Sequence, residues 1–253
     1  MGLSVDEWTL VIRNGKKGHR LKSFHATSRC KAILDSTRHL NNEYKISFFD
    51  LATHVTKFKN NFPEHFKQFV ISRLEKALFG HHLSVIRIFG IGSISTSHDS
   101  LWQLVLLLLI KEHFCVDLVT SQDPLTSNTE DRYLQSCGIK VLAPDDLKST
   151  PPSTSSDAFT LLYMIHCTQD MYENVISYYS SKANDDIQRI ILIGNDPENL
   201  STATINFKLQ IPYLISFTAL SRAVPLPYFD PKENAFHGTA ICFIKINEED
   251  DEK

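Results

Sequence analysis

The residues with the chemistry to bind a ligand stand directly after short apolar runs of the chain. They are two glycines and a serine, an aspartate, a histidine followed by a cysteine, and an asparagine: Gly90, Gly92, Ser93, Asp123, His166, Cys167 and Asn195. Glycine lets a chain turn tightly and lets a ligand approach bare backbone, while the side chains offer hydrogen bonds, a titratable ring and a thiol. If the apolar runs are strands of one sheet, the sequence predicts a binding crevice at their ends.

The stretch Val85–Ile110 predicts a strand, a glycine turn and a buried helix. Its first five residues are mostly β-branched and aromatic, Gly90 and Gly92 interrupt the run, and Leu101–Ile110 is nearly all apolar. Ser97 can cap the helix, whose free amides would point at the turn, so that a phosphate or carboxylate could bind there. The strict GxGxxG pattern is not met, so a dinucleotide site and a simple tight turn both remain open.

The other residues of this set each have a functional and a structural interpretation. Asp123 stands where nucleotide-binding folds place an acid on ribose hydroxyls, but with Pro124 it could equally form a turn and cap. His166 could serve as a base and Cys167 as a nucleophile or ligand, whereas most His-Cys pairs of this kind are structural. Asn195 could hydrogen-bond a ligand or cap the next helix.

No catalytic or metal-binding motif accompanies these residues in the sequence. There is no Ser-His-Asp spacing, no HExxH motif, no Walker lysine and no cluster of metal ligands. The sequence therefore names no catalytic residue and no metal site. Five scattered cysteines without a CxxC pair are typical of a reduced intracellular protein.

Alternating strand and helix patterns position these residues and predict an α/β fold. Four runs are interpreted as further strands: Val116–Thr120, Lys140–Ala143, Phe159–Ile165 and Arg189–Ile193. Right-handed crossovers would join them into a doubly wound, mostly parallel Rossmann-like sheet with its crevice at the carboxyl ends. The last strand, Thr239–Ile246, could run antiparallel at an edge, and His237 would then face the same crevice.

The chain outside this core is expected to form one helical part and two charged ends. Residues 28–80 have helical periodicity and are predicted to pack on the sheet, within a single domain spanning 28–247 whose core is 85–246. Residues 1–27 form a basic segment, and residues 248–253 form an acidic tail. Both ends are interpreted as solvated, with a nuclear address or nucleic-acid contact as the alternative for the basic one. Lys148–Asp157 is rich in Ser, Thr and Pro and is expected to be an exposed loop.

Composition sets the broad class of the protein. With 253 residues, 42% of them hydrophobic, and a formal net charge of -3, the chain can bury a large core and has no strong nucleic-acid signature. Leu101–Ile110 is about half the length that a bilayer span needs, and the first residues do not form a signal peptide. We therefore expect no membrane partner and a cytoplasmic location, with the nucleus as a second one.

Five blocks of the sequence, in the same order, resemble the sensitivity-to-red-light-reduced family, whose animal members are called SRR-like proteins. The blocks are GIGSISTSHDSLWQLVLLLLI, DPLTSNTEDRYLQSCGIKVLAPDD, TLLYMIHCTQDMYENVI, ILIGND and AFHGTAICF. Positions that match the family pattern include Gly90, Gly92, Gln103, Asp123, Glu130, Tyr163, His166, Cys167, Tyr172, Asn174, Gly194, Asn195, Phe236 and His237. Ile165, Asp196 and Pro197 depart from it, which loosens expectations about the shape of the crevice.

The resemblance implies regulation: light signalling and circadian expression in plants, and control of haem biosynthesis and clock genes in animals. It implies protein partners and no established catalytic residues. Two alternatives stay open beside a regulator with a small-ligand crevice. One is a Rossmann-like enzyme that uses S-adenosylmethionine or a nucleotide, with Gly90 and Gly92 beside the nucleoside and Asp123 on its ribose. The other is a haem binder with His166 or Cys167 as axial ligand.

Overall fold

The computed structural model describes residues 46–144, 146, 158–180, 187–197 and 210–244. The chain divides into two units, Met1–Ile46 and Ser47–Lys253, and all the described helices and strands belong to the second. The basic segment, the Lys148–Asp157 loop, the acidic tail and the predicted helical stretch before residue 46 lie outside the described residues. What the sequence predicts for them stays a prediction.

The described part of the chain contains six helices and seven strands. The helices are α1 (Phe48–Asn60), α2 (Glu64–Leu78), α3 (His98–His113), α4 (Asn128–Ser136), α5 (Gln169–Ser180) and α6 (Pro212–Leu220), with a short 3-10 helix at Glu233–Ala235. The strands are β1 (His82–Phe89), β2 (Leu118–Gln122), β3 (Ile139–Val141), β4 (Ala158–Met164), β5 (Ile190–Asn195), β6 (Ser221–Pro225) and β7 (Thr239–Ile244).

All seven strands form one sheet in the order β3-β2-β1-β4-β5-β7-β6. Strands β1 to β5 pair with one another in parallel, and β7 is antiparallel to both β5 and β6. The predicted α/β fold with a doubly wound, mostly parallel sheet is confirmed. Chain order reverses between β1 and β4, so the crevice of such a sheet lies at the carboxyl ends of these two strands.

The prediction that the last strand forms an edge is wrong. Strand β7 is antiparallel, as predicted, but it lies between β5 and β6, and the edge is formed by β6. Strand β6 has the sequence SRAVP, which has neither the apolar run of a buried strand nor a clean alternation. Its proline is compatible with an edge, because an edge strand can leave backbone groups unpaired.

The two faces of the sheet are covered by different helices. Helices α5 and α6 pack on one face, in a core that contains Leu162, Leu192 and Cys242. Phe243 follows Cys242 in β7 and so points to the opposite face, where its ring meets that of Phe79 at 6.3 Å beside the end of α2. None of the helices among the described residues could span a lipid bilayer.

Helix α3 follows the glycine turn and lies between the sheet and helices α1 and α2. The Ser97 hydroxyl accepts a hydrogen bond from the Ser100 amide at 3.2 Å, which caps the helix as predicted. Helices α1 and α2 pack outside α3, with Phe58 and Phe62 against Trp102 at ring distances of 4.4 and 5.8 Å. The apolar run of α3 is therefore covered on both sides, which explains why it lacks a polar face.

Candidate ligand crevice

Each candidate residue lies at the carboxyl edge of the sheet, and the structure joins them into two neighbouring turns. The first turn follows β1 and contains Gly90, Gly92 and Ser93, with Asp123 beside it at the end of β2. The second follows β4 and contains His166 and Cys167, with Asn195 at the end of β5 and His237 ahead of β7. Whether these residues bind a ligand stays a prediction.

The first turn is held by the carboxylate of Asp123. Its Oδ2 accepts a hydrogen bond from the Gly92 amide at 2.5 Å, and its Oδ1 accepts one from the Leu125 amide at 2.6 Å. Gly92 has φ 77, and an added Cβ would lie 2.8 Å from the Ser100 hydroxyl, so only glycine fits at this position without strain. A carboxylate does meet the glycine turn, but it is the chain's own.

Glu130 holds the same turn from helix α4. Its Oε1 accepts hydrogen bonds from the Ser93 hydroxyl and the Ser95 amide, both at 2.7 Å. Its Oε2 accepts one from the Ser127 amide at 2.6 Å and completes a capping box. Glu130 is only 1% exposed, so these donors replace the water that a carboxylate needs. It is not among the site residues predicted from the sequence, although the Ser127–Glu130 spacing is a readable signal.

Burial acts on both carboxylates, and their hydrogen bonds oppose it to different extents. Desolvation raises the pKa of Asp123 above its usual range, and the bonds from Gly92 and Leu125 offset this only in part. For Glu130, burial also raises the pKa, but the bonds from Ser127, Ser93 and Ser95 outweigh it and leave the pKa below its usual range. The first turn is therefore an acidic site whose amides at Gly92 and Ser95 already have partners.

The second turn is held by neutral groups. The Asn195 side chain accepts a hydrogen bond from the His166 amide at 2.8 Å and donates one to the Cys167 carbonyl at 3.0 Å. The Tyr172 hydroxyl donates to the Met164 carbonyl and accepts from the Asn195 amide at 2.8 Å. Gly194 leaves room for this hydroxyl, because an added Cβ would overlap it.

His166 is exposed at the rim of the crevice and has an unusual backbone. Its φ is 57, a left-handed conformation that is strained for residues other than glycine and is found disproportionately at functional sites. The Nε2 atom of its ring lies 3.0 Å from the carbonyl oxygen of His237. The clamp formed by Asn195 and Tyr172 thus fixes the backbone of His166, and the His237 carbonyl contacts its exposed imidazole.

Cys167 links the two turns but is not a free thiolate. It is buried, and its Sγ donates a hydrogen bond to the Phe89 carbonyl at 3.2 Å. Burial, helped by the negative charge of Asp123, raises the pKa of the Cys167 thiol far above its usual range. An added Cβ on Gly90 would lie 3.1 Å from this sulfur, so the turns after β1 and β4 are in contact.

Two further side chains support the crevice from below. Gln103 of α3 donates a hydrogen bond to the Ala235 carbonyl at 2.8 Å, and its own backbone carbonyl accepts one from the Tyr163 hydroxyl at 2.7 Å.

Among the described residues, no group of three or more His, Cys, Asp or Glu side chains could hold a metal ion. The groups that do line this edge are hydrogen-bonding side chains and backbone, which suit an organic ligand.

A family model described as the SRR1 domain matches residues 70–243, which include both turns and every strand that forms the crevice. The chain belongs to the SRR1 domain family. The expected family is thereby confirmed.

Two relatives of this SRR1-domain chain bear related names. Protein SENSITIVITY TO RED LIGHT REDUCED 1 of Arabidopsis thaliana is 26% identical over 205 residues, which cover 76% of this chain and 72% of the plant protein. The SRR1-like protein of Mus musculus is 28% identical over 127 residues, 49% of each protein. The match to the mouse protein thus spans about half of its length.

Proposed function

We propose that this chain is a regulatory SRR1-domain protein whose crevice binds a nucleoside ligand without phosphate groups, with S-adenosylmethionine as the first candidate. The observation that carries the proposal is the occupation of the glycine turn by the carboxylates of Asp123 and Glu130 at the point where strand order reverses. The position at the strand-order reversal favours a nucleoside ligand. The negative charge of the two carboxylates favours a positively charged nucleoside over one that carries phosphates.

A phosphate-bearing ligand fits this turn poorly. Dinucleotides and nucleoside triphosphates place phosphates on the free amides of such a turn and on the following helix terminus. In this chain the Gly92 amide donates to Asp123, and the Ser95 amide donates to Glu130. A phosphate would have to displace a carboxylate and would be repelled by it, since like charges at about 4 Å interact strongly in a partly buried site.

A positively charged nucleoside fits the same turn well. S-adenosylmethionine has a net positive charge, because its sulfonium and ammonium groups outweigh its single carboxylate, and the carboxylates of the turn attract it. Each carboxylate oxygen can accept more than one hydrogen bond, so Asp123 keeps capacity for ribose hydroxyls while it holds the turn.

We do not extend the proposal to a haem ligand. The Cys167 thiol is buried and donates to the Phe89 carbonyl, and burial raises its pKa, so it is poorly prepared to ligate iron as a thiolate. The His166 Nε2 atom faces the His237 carbonyl, so only the Nδ1 atom of this ring could ligate iron.

The biological role that we propose is regulation through protein partners in the cytoplasm and the nucleus. The resemblance to the family supports light signalling, circadian expression and control of haem biosynthesis as settings. The plant relative's name refers to sensitivity to red light, which supports the signalling setting for that protein. The binding of protein partners would then depend on whether the crevice holds its ligand.

Thermal unfolding with different ligands tests the binding proposal. We expect S-adenosylmethionine to raise the melting temperature, because a ligand at 100 times its Kd stabilises the folded state by about 2.7 kcal/mol. Adenosine should raise it less, and NAD and ATP should leave it unchanged. A flat response to millimolar S-adenosylmethionine, or an equal response to NAD, would contradict the proposal.

A further inference from the structure

We propose that His166 is the proton acceptor of a methyl-transfer reaction in this crevice, acting on a substrate with an N–H or O–H nucleophile. The inference rests on the proposed binding of S-adenosylmethionine and adds a reaction, a catalytic residue and a class of substrate. It is carried by three features of the second turn: its position, the backbone of His166 and the hydrogen bond of the imidazole ring.

The position of His166 suits the substrate side of the crevice. The nucleoside would occupy the side formed by β1 and β2, where the glycine turn and Asp123 lie. His166 lies on the other side, formed by β4 and β5, and the two turns touch where Cys167 meets Gly90. A methyl group that leaves the nucleoside side would therefore be delivered toward the second turn.

The backbone of His166 is held in a costly conformation by the groups that surround it. At φ 57 a histidine is strained, and such strain persists only where the surroundings enforce it. The Asn195 side chain hydrogen-bonds to the backbone N–H of His166 and to the Cys167 carbonyl. The Tyr172 hydroxyl in turn accepts a hydrogen bond from the backbone N–H of Asn195. A glycine would adopt this backbone without strain. We therefore infer that a histidine stands here because its imidazole ring is needed.

The hydrogen bond of the ring defines which nitrogen can accept a proton. The Nε2 atom faces the His237 carbonyl at 3.0 Å, and a carbonyl oxygen can only accept. Nε2 must therefore carry the hydrogen, and in the neutral ring Nδ1 is left with its lone pair free. Because His166 is exposed, this lone pair can reach a bound substrate.

The reaction is balanced without any further co-reactant. The lone pair of the substrate nitrogen or oxygen attacks the methyl carbon and forms the new C–N or C–O bond. The bond between methyl and sulfur breaks, and its electron pair stays on sulfur, which becomes a neutral thioether. The proton of the nucleophile moves to Nδ1 of His166, and the resulting imidazolium returns it to water.

The test has a ligand-free arm and a turnover arm, both on the full chain. Two-bond nitrogen-proton NMR correlations report the tautomer of the ring, and we expect the hydrogen of neutral His166 on Nε2. A hydrogen on Nδ1 would overturn the inference whatever the crevice binds.

The turnover arm measures formation of S-adenosylhomocysteine from S-adenosylmethionine, with benzylamine and phenol as acceptor probes. We expect His166→Gln to lower this rate at least about 100-fold, the usual contribution of a general base, with the Kd for S-adenosylmethionine within about two-fold of wild type. His113→Gln, which changes an exposed histidine paired with Glu75 at the far end of α3, is the control and should leave the rate unchanged.

His166→Gly keeps the test decisive if the glutamine variant fails to fold, because glycine adopts the same backbone without strain. Added imidazole should restore part of its lost rate, which a purely structural histidine would not allow. A wild type that binds S-adenosylmethionine but turns over neither probe, or a His166 variant with an unchanged rate, would overturn this inference and leave the binding proposal intact. Absence of binding would overturn the binding proposal itself.

Discussion

The two turns at the carboxyl edge are built from the same kind of strand end but are stabilised by opposite means. The turn after β1 is held by two buried carboxylates, Asp123 and Glu130, whose oxygens take up its backbone amides. The turn after β4 is held by the neutral side chains of Asn195 and Tyr172. The first turn therefore gains negative charge, and the second gains a fixed geometry.

This difference suggests a division of tasks in the crevice. Carboxylates that already hold the Gly92 and Ser95 amides select a ligand by its own charge, which suits binding. A rigid neutral clamp around an exposed imidazole suits proton transfer, because neutral groups, the Asn195 side chain and the His237 carbonyl, position His166. Substitutions in each turn probe this division separately, from the largest expected effect to the smallest.

Gly194→Ala should be the most destabilising of these changes. An added Cβ would overlap the Tyr172 hydroxyl and lie 3.0 Å from its Cε1, so the clamp or the strand must move. We expect a loss of about 3 kcal/mol in the free energy of unfolding, as for overpacked cores, measured by urea denaturation.

Gly80→Ala is the matched control for this loss. Gly80 has φ 83 but nothing within 4 Å of an added Cβ, so its substitution reports backbone strain alone, about 1 kcal/mol. Tyr172→Phe in the Gly194→Ala background should recover part of the stability, because it removes the overlapping oxygen. Equal losses for the two glycine substitutions would contradict the clamp.

Glu130→Gln should destabilise the first turn by about 2 kcal/mol at neutral pH, because charge-assisted hydrogen bonds from Ser93, Ser95 and Ser127 are weakened. The pKa of Glu130 is lowered in the folded state, so its contribution is full above the pKa of the unfolded chain and is lost as the pH falls through the lower folded value. The gap to wild type should therefore shrink in acid.

The exposed Glu112, paired with Lys59 on the surface, provides the control. Glu112→Gln should change the free energy of unfolding by less than about 1 kcal/mol at any pH. A Glu130→Gln gap that stays constant from neutral to acid pH would show that the carboxylate charge does not hold the turn.

The strain at His166 predicts an order between two substitutions. His166→Gly and His166→Ala both remove the ring and its bond to the His237 carbonyl, but only alanine is strained at φ 57. We expect the glycine variant to be more stable than the alanine variant by about 1 kcal/mol in chemical denaturation. Equal stabilities would argue that the backbone there is not strained.

Labelling of the cysteines with a thiol reagent tests the contact between the two turns without any substitution. Cys115 is exposed, whereas Cys167 is buried with a raised pKa, so a thiol reagent at neutral pH should label Cys115 rapidly and Cys167 only on unfolding. The label position can be read by peptide mass spectrometry. Rapid labelling of Cys167 in the folded chain would contradict the contact with Phe89.

Much of this edge could be predicted from the sequence because local patterns determine it. The β-branched run before Gly90 and the apolar run after it identified the strand, the turn and the helix that the structure has there. Parallel strands bring their carboxyl ends to one edge, so the positions of Asp123, His166 and Asn195 followed from the fold class.

The contacts between the turns could not be predicted, because they depend on distant partners. Nothing local shows that Asp123 would reach back to Gly92, or that Asn195 would clamp His166. Arg87 illustrates the same limit: it is 0% exposed in the middle of β1 and donates to the Gln122 side chain at 2.5 Å, although arginine usually indicates a surface. Such pairings appear only once the strands are ordered.

Calorimetric titration of the full chain with S-adenosylmethionine and with NAD tests the central claim most directly. If the carboxylate-held turn selects a cationic nucleoside, S-adenosylmethionine should bind at one site per chain, and NAD should give no heat beyond dilution at the same concentration. Tighter binding of NAD, or no heat from millimolar S-adenosylmethionine, would contradict the account.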